Sequence, residues 1–198
     1  PLSNGGFGWG YAKSAEPDSA DVATASLMLA DHQAPETFGF ELAAGRWFHP
    51  EEIVPVADFA EFGSTAPSSV VVTQALADHL FPDGNALGSI IFDIASRRPA
   101  TVVGIVERAQ GYFAGNANVE RTAFTPIVLA AGEALYYVVR TRPGERAAVQ
   151  RDVEQVLLEV DPRRVLRNVQ SFGEIRATAY QNDRAMTVTL LTVIVLLV

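Results

Sequence analysis

The last fourteen residues, Ala185–Val198 (AMTVTLLTVIVLLV), carry no charge, and the chain ends inside this apolar run. As a helix it reaches roughly 21 Å at about 1.5 Å per residue, short of the ~30 Å hydrocarbon core of a bilayer. Exposed Leu and Val gain nothing from water, so the run has to be covered by lipid or by protein. The expectation is a membrane span entered part-way, and the alternative is a terminal helix packed into the domain's own core. The start agrees with a piece of a larger membrane protein, because Pro1-Leu2-Ser3 carries neither an initiator Met nor a signal peptide.

Composition narrows the function classes. The 198 residues are 48% apolar, material for one large or two small cores. A net charge of −8 argues against nucleic acid, whose backbone demands a basic footprint. The charge is uneven: residues 1–100 hold four basic and thirteen acidic residues, residues 101–198 eleven and ten. The chain has no Cys, which excludes disulfides, thiolate metal sites and Cys nucleophiles.

Along the chain, Gly5–Gly10 (GGFGWG) reads as a flexible loop with two aromatic contacts; it lacks the Lys of a phosphate-binding loop. Asp21–Ala30 is β-compatible, and Asp31–Phe40 reads as a short helix that tolerates Pro35 near its start and ends at Gly39. Leu42–Phe48 brings a buried aromatic pair beside Arg46. Glu51–Ser69 reads as a surface excursion. Val70-Val71-Val72 is a strand, and Thr73 is placed to cap a helix Gln74–Leu80 with Ala75, Leu76, His79 and Leu80 on one side. Phe81-Pro82-Asp83-Gly84 stops that helix. Ile90–Ile94 and Thr101–Val106 are strands joined by an exposed Ala95–Pro99, and Gln110–Val119 is a loop.

In the last third, Leu135–Thr141 reads as a strand and Pro143-Gly144 opens a helix. Val149, Val153, Val156, Leu157 and Val160 form one stripe of that helix. Asp161-Pro162 ends it and Val165–Val169 returns as a strand. Ser171-Phe172-Gly173-Glu174 has the spacing of a capping box, in which the Ser171 hydroxyl satisfies an early helical N–H and Glu174 reaches back to the cap. From there the expected helix runs unbroken to Val198, a rigid strut from a folded domain into a bilayer; the alternative is a kink near Asn182-Asp183.

These residues resemble a family. Phe38–Phe48 (FGFELAAGRWF) is similar to the F-x-x-x-G-x-x-L-x-x-G-R-x-F passage of MacB-like periplasmic core domains, with a shorter spacing from the first Phe to Gly45-Arg46. Val70–Gly88 (VVVTQALADHLFPDGNALG) is similar to that family's V-V-V-x-N-x-x-x-A-x-x-L-F-x-x-x-x-x-x-G, with Gln74 where Asn is usual. Thr101–Val106 and Leu135–Thr141 resemble its V-V-G-V-V and V-R-T strands. The likeness runs over roughly residues 34–198. It implies a two-lobed α+β body between the first two membrane helices of an ABC transporter permease, FtsX-like proteins included. The expected porter-like lobe comprises 1–48 and 122–184, a smaller β-rich lobe is inserted at 49–121, and 185–198 begins a truncated transmembrane helix. The likeness further implies a place outside the cytoplasmic membrane, a cytoplasmic ATPase partner and a permease dimer. Its non-catalytic role is mechanotransmission toward efflux, lipoprotein release or activation of a periplasmic partner. The residues expected to matter for structure and coupling are Gly45, Arg46, Phe81, Gly88, Ser171 and Glu174.

The search for chemistry agrees. His32, His49 and His79 form no H-x-x-x-H or H-E-x-x-H spacing, and His49 with Glu51 and Glu52 reads as solvated loop. His79 is expected to pack on the buried side of its helix. No G-x-S-x-G elbow is present, and Asp58 and Glu61 lie in a loop. Arg163, Arg164 and Arg167 read as a solvated turn, with an acidic partner or lipid headgroup as the alternative. No cofactor, metal or catalytic residue is expected. The second function class is a membrane-anchored extracytoplasmic sensor or ligand-binding module.

Overall fold

The computed structural model describes residues 8–57, 59–65, 67–111, 117–129, 137–160, 162, 165–166, 169–179 and 186. The apolar run at 185–198 lies, Met186 apart, outside the described residues, as do 112–116 of the Gln110–Val119 loop and 135–136. Among the described residues no helix is long and apolar enough to cross a membrane. The chain forms two compact units, one through Val138 and one from Val139 onward.

The first unit is rich in sheet. Its strands are β1 (Gly8–Ala12), β2 (Ala23–Leu29), β3 (Leu42–Gly45), β4 (Val54–Val56), β5 (Ser69–Thr73), β6 (Ile90–Asp93), β7 (Arg98–Val106), β8 (Thr122–Thr125) and β9 (Ile127–Leu129). Its helices are α1 (Ala34–Phe38), α2 (Phe59–Ser64) and α3 (Gln74–Leu80). Seven strands form one sheet, and β4 pairs with β9 in a parallel ribbon.

The pairings close on themselves. β1 lies antiparallel to β2, β2 parallel to β8, β8 antiparallel to β5, β5 parallel to β7 and β7 antiparallel to β6. β6 then pairs back to β1, with Tyr11 opposite Asp93 and Ala12 opposite Phe92. The result is a six-stranded ring, and β3 attaches to β7 as the remaining edge, with Gly45 opposite Gly104. Closure leaves the ring strands without free edges.

Alternation along the strands sorts the core. Tyr11, Ala23, Ala25, Val70, Val72, Ile91, Val102 and Ala123 join one cluster, to which every ring strand contributes, so that cluster is the ring's interior. Leu76, Ala77 and Leu80 of α3 belong to it as well. The alternate residues Val71, Val106 and Phe124 face outward into a second cluster with Trp47 and Phe48. β5 is therefore buried on both faces, which explains a strand written Ser-Val-Val-Val-Thr.

The structure departs from the sequence expectations at several places. Gly8-Trp9-Gly10 belongs to β1 rather than to a loop; a Cβ on Gly10 would meet Val22 at 3.1 Å and Ile94 at 3.4 Å, so close neighbours account for a glycine within a strand. The Glu51–Ser69 stretch holds β4 and α2. His79 is exposed on α3, whose buried residues are Leu76, Ala77 and Leu80. Strands from 1–48, from 49–121 and from 122–125 share the one ring, so β5, β6 and β7 of the expected inserted lobe pair directly with β1, β3 and β8. Tyr137–Thr141 forms no strand, and neither do Val165, Leu166 and Val169.

The second unit contains α4 (Arg146–Val160) and α5 (Phe172–Ala179). Of the apolar stripe on α4, Val149, Val153 and Leu157 are half-buried, while Val156 and Val160 are exposed. Gln150 Nε2 donates to the Val169 carbonyl at 2.9 Å. Beyond Ala179, the expected continuation of α5 lies outside the described residues except for Met186, which is helical.

Candidate functional site

The corner after β3 gathers most of the sequence-predicted residues of the first unit. Gly45 has φ +73°, a left-handed conformation that favours glycine. A Cβ there would strike the Val103 carbonyl oxygen and sit 2.6 Å from Leu87 Cδ1 and 2.9 Å from Gly104 Cα. On the facing strand, a Cβ on Gly104 would strike the Arg46 carbonyl oxygen. Two glycines opposite one another thus let β3 and β7 approach closely, and the Arg46 N–H donates to the Val103 carbonyl at 2.9 Å.

This approach aims Arg46 at the next turn. Arg46 Nη1 lies 2.5 Å from Glu52 Oε2 and Nη2 3.1 Å from Oε1, a two-pronged grip; Nη1 also donates to the Trp47 carbonyl at 3.0 Å. Glu52 Oε2 accepts the His49 N–H at 2.8 Å, which closes the turn at Pro50–Glu52. The hydrogen bonds from Arg46 are the chief cause that lowers the Glu52 carboxyl to about 2, with the His49 N–H adding to it. The same pair raises the Arg46 guanidinium. Both side chains are partly open to solvent, so the pair supplies about 1 kcal/mol at most and chiefly fixes geometry.

Beneath the corner, Trp47 and Phe48 pack with ring centroids 5.0 Å apart, and Trp47 stands 5.1 Å from Phe124. Phe40 joins at 5.1 Å from Phe124, and Trp47 Nε1 donates to the Asp31 carbonyl at 2.9 Å. The expected aromatic pair beside an arginine is therefore part of a larger ring cluster with Phe40 and Phe124, and Phe38 stacks on Phe40 at 5.2 Å.

Gly88 meets the same strand, since its N–H donates to the Val102 carbonyl at 2.8 Å. Gly45, Arg46 and Gly88 are thus brought together along Val102–Gly104. Phe81 is apart from them: it follows α3, packs against the ring interior, and carries Lys13 Nζ 5.9 Å above its ring. Ser171 and Glu174 belong to the second unit. There the Ser171 N–H donates to Glu174 Oε2 at 2.7 Å and the Glu174 N–H to Ser171 Oγ at 3.2 Å, the reciprocal bonds of a capping box. These bonds hold the Glu174 carboxyl below its ordinary value.

Sequence reasoning missed Glu52, which read as solvated loop although an Arg six residues earlier was available to it. It also assigned Thr73 the wrong partner. Thr73 stands at the N-terminus of α3, but its side chain makes no cap bond. Its hydroxyl donates to the Glu120 carbonyl at 2.8 Å and accepts the Thr122 N–H at 3.0 Å. Among the described residues no group of three or more His, Asp or Glu side chains is gathered as a metal site requires.

The fold is a mixed α+β domain with a sheet-rich body, and its predicted residues hold backbone and turns together. The chain belongs to the MacB-like periplasmic core domain family of ABC transporter permeases, whose sequence pattern matches residues 7–156. A comparison with curated proteins finds no match. Among solved structures, the chain is similar to the periplasmic region of MacB from Actinobacillus actinomycetemcomitans, with 14% identity over 78% of this chain and a TM-score of 0.51. It is also similar to the extracellular domain of the noncanonic ABC-type transporter YknZ from Gram-positive bacteria, with 12% identity over 61% of this chain and a TM-score of 0.42. The first likeness bears on the fold alone, and the second is too slight to carry an argument. The chain spans 64% and 50% of those two domains.

Proposed function

We propose that this chain is the non-catalytic extracytoplasmic domain of an ABC transporter permease, coupling cytoplasmic ATP hydrolysis to an external event by mechanotransmission. The observation that carries the reading is the family match over residues 7–156. The body fits such work: a closed strand ring, a glycine-on-glycine strand contact and a two-pronged ion pair resist deformation, so motion applied to one part is passed to another. In this reading Gly45, Arg46, Gly88 and Phe81 keep the body stiff, and Ser171 and Glu174 start the helix that leads toward the membrane.

The permease works as a dimer with its cytoplasmic ATPase, anchored by flanking transmembrane helices. Its output is efflux, lipoprotein release or activation of a periplasmic partner. Two measurements on the full permease in its membrane test this. Externally added protease is expected to cut the domain in intact spheroplasts, and protection until lysis overturns the placement. A spin label at exposed His79→Cys on both subunits, in a permease freed of any other Cys, then reports their separation. ATP is expected to change that distance, and an unchanged distance during ATP turnover overturns the coupling.

A further inference from the structure

Among the described residues, β3 is the one strand of the large sheet that pairs along a single edge. Two bonds fix which of its backbone groups turn toward β7. The Glu41 carbonyl accepts the Glu107 N–H at 2.9 Å, and the Arg46 N–H donates to the Val103 carbonyl at 2.9 Å. Across a planar trans peptide the C=O and the N–H that follows it point in opposite directions. The Leu42 N–H and the Gly45 carbonyl therefore point away from β7, and neither has a partner among the described residues. Leu42 and Gly45 are both exposed.

The spacing of those two groups decides which strand fits them. A regular strand turns the N–H and C=O of every second residue to one side. Here donor and acceptor stand three residues apart, because the register slips between Leu42 and Ala44. A regular neighbour reaches one group and misses the other, whereas a strand with the same slip reaches both. Laid antiparallel about a two-fold axis between Ala43 and Ala44, a second copy of β3 brings its Leu42 N–H to this Gly45 carbonyl and receives the reverse bond. That register also sets Glu41 opposite the partner's Arg46 and Leu42 opposite the partner's Gly45, an acid across from a base and a large residue across from a small one. Arg46 has N–H groups to spare although Glu52 holds it. Glu52 and the Trp47 carbonyl take both hydrogens of Nη1 and one of Nη2, which leaves one on Nη2 and that on Nε.

We propose that the two copies of this domain in the permease dimer pair edge to edge through β3, antiparallel, by the Leu42 N–H and the Gly45 carbonyl of each. This interface rests on the dimer proposed for the permease and names the surface that it uses. A contact of one short strand on another falls well below the roughly 1,000 Å² that a stable complex of free proteins needs. Two copies tethered in one permease meet at about millimolar effective concentration, so the contact forms there and parts again when the subunits move. The slip in register also confines the pairing to a matching edge, so β3 does not recruit strands at large.

The test is cross-linking of the full permease in its membrane, freed of any other Cys, with the short thiol reagent ethylene bismethanethiosulfonate. Exposed Ala43→Cys, beside the two-fold axis, is expected to join the subunits in the nucleotide-free or the ATP-bound state. Exposed Thr24→Cys on β2, across the ring from β7, is expected to stay unlinked. Leu42→Pro removes the outward N–H and leaves the bonds to β7, a place where an edge strand tolerates proline. It should cut the Ala43→Cys link about tenfold, the effect of losing the paired bonds. Glu41→Arg sets like charges across the axis, should also weaken the link, and covers the case in which Leu42→Pro fails to fold. A permease that runs as a dimer on a native gel decides the interface by itself. No Ala43→Cys link in either state, an equal link at Thr24→Cys, or a link that survives both variants overturns it and leaves the dimer standing. A permease that runs as a monomer overturns the dimer and this interface together.

Discussion

Arg46 and Glu52 are joined at both ends of their planar groups, 2.5 and 3.1 Å apart, across a turn that the His49 N–H closes onto the same carboxylate. The pair ties the end of β3 to the Pro50–Glu52 turn, at the place where β3 lies against Gly104.

That pair makes stability depend on pH in one window. The Glu52 carboxyl stands at about 2 in the fold against an ordinary value of 4.5. A depressed carboxyl stabilises the fold above its unfolded value, and the contribution fades as pH falls toward its folded one. Glu52→Gln should therefore be less stable than the parent at pH 7. The gap should narrow below pH 4.5 and close near pH 2. Urea unfolding at a series of pH values measures this, and a gap that is constant from pH 7 to pH 2 sinks it.

The two turn glycines separate backbone conformation from space. Gly45 and Gly88 both have positive φ, +73° and +80°, yet a Cβ on Gly45 meets β7 backbone while a Cβ on Gly88 meets nothing within 4 Å. Gly88→Ala should cost about 1 kcal/mol, the left-handed penalty alone. Gly45→Ala adds a clash with the Val103 carbonyl and should cost at least about 2 kcal/mol more, because strand backbone cannot yield as a flexible side chain does. Urea midpoints of the two variants decide it, and equal midpoints would mean that β3 shifts freely.

What the sequence shows of this fold is its local part. Val70-Val71-Val72, the Pro35 and Gly39 that bound α1, and the turn after Leu80 each fix an element through chemistry within a few residues. The closure of β6 onto β1 joins Asp93 to Tyr11, far apart in sequence, and period-two alternation names a strand without naming its neighbour. β1 is hidden further by its glycines, of which Gly10 answers to the nearness of Val22 and Ile94. The candidate site divides in the same way. The Ser171–Glu174 spacing announces its hydrogen bonds, whereas Arg46 and Glu52, six residues apart, meet only because the Pro50–Glu52 turn folds back on the end of β3.

Thr73 shows how tertiary context redirects a local signal. A Thr before a helix reads as a cap, yet its hydroxyl bridges the Glu120 carbonyl and the Thr122 N–H, so it pins the entry of β8 beside the end of β5. Thr73 is fully buried, so removing the hydroxyl strands both backbone groups away from water. Thr73→Val keeps the shape and should cost about 1–3 kcal/mol. Thr73→Ser keeps the bridge, loses one methyl, and should cost about 1 kcal/mol or less. Amide exchange adds a readout that a capping role would not produce. In Thr73→Val the Thr122 amide should exchange faster, while Leu76 and Ala77 in the first turns of α3 keep the protection of the parent. Faster exchange in α3 with Thr122 unchanged would return the residue to the capping role.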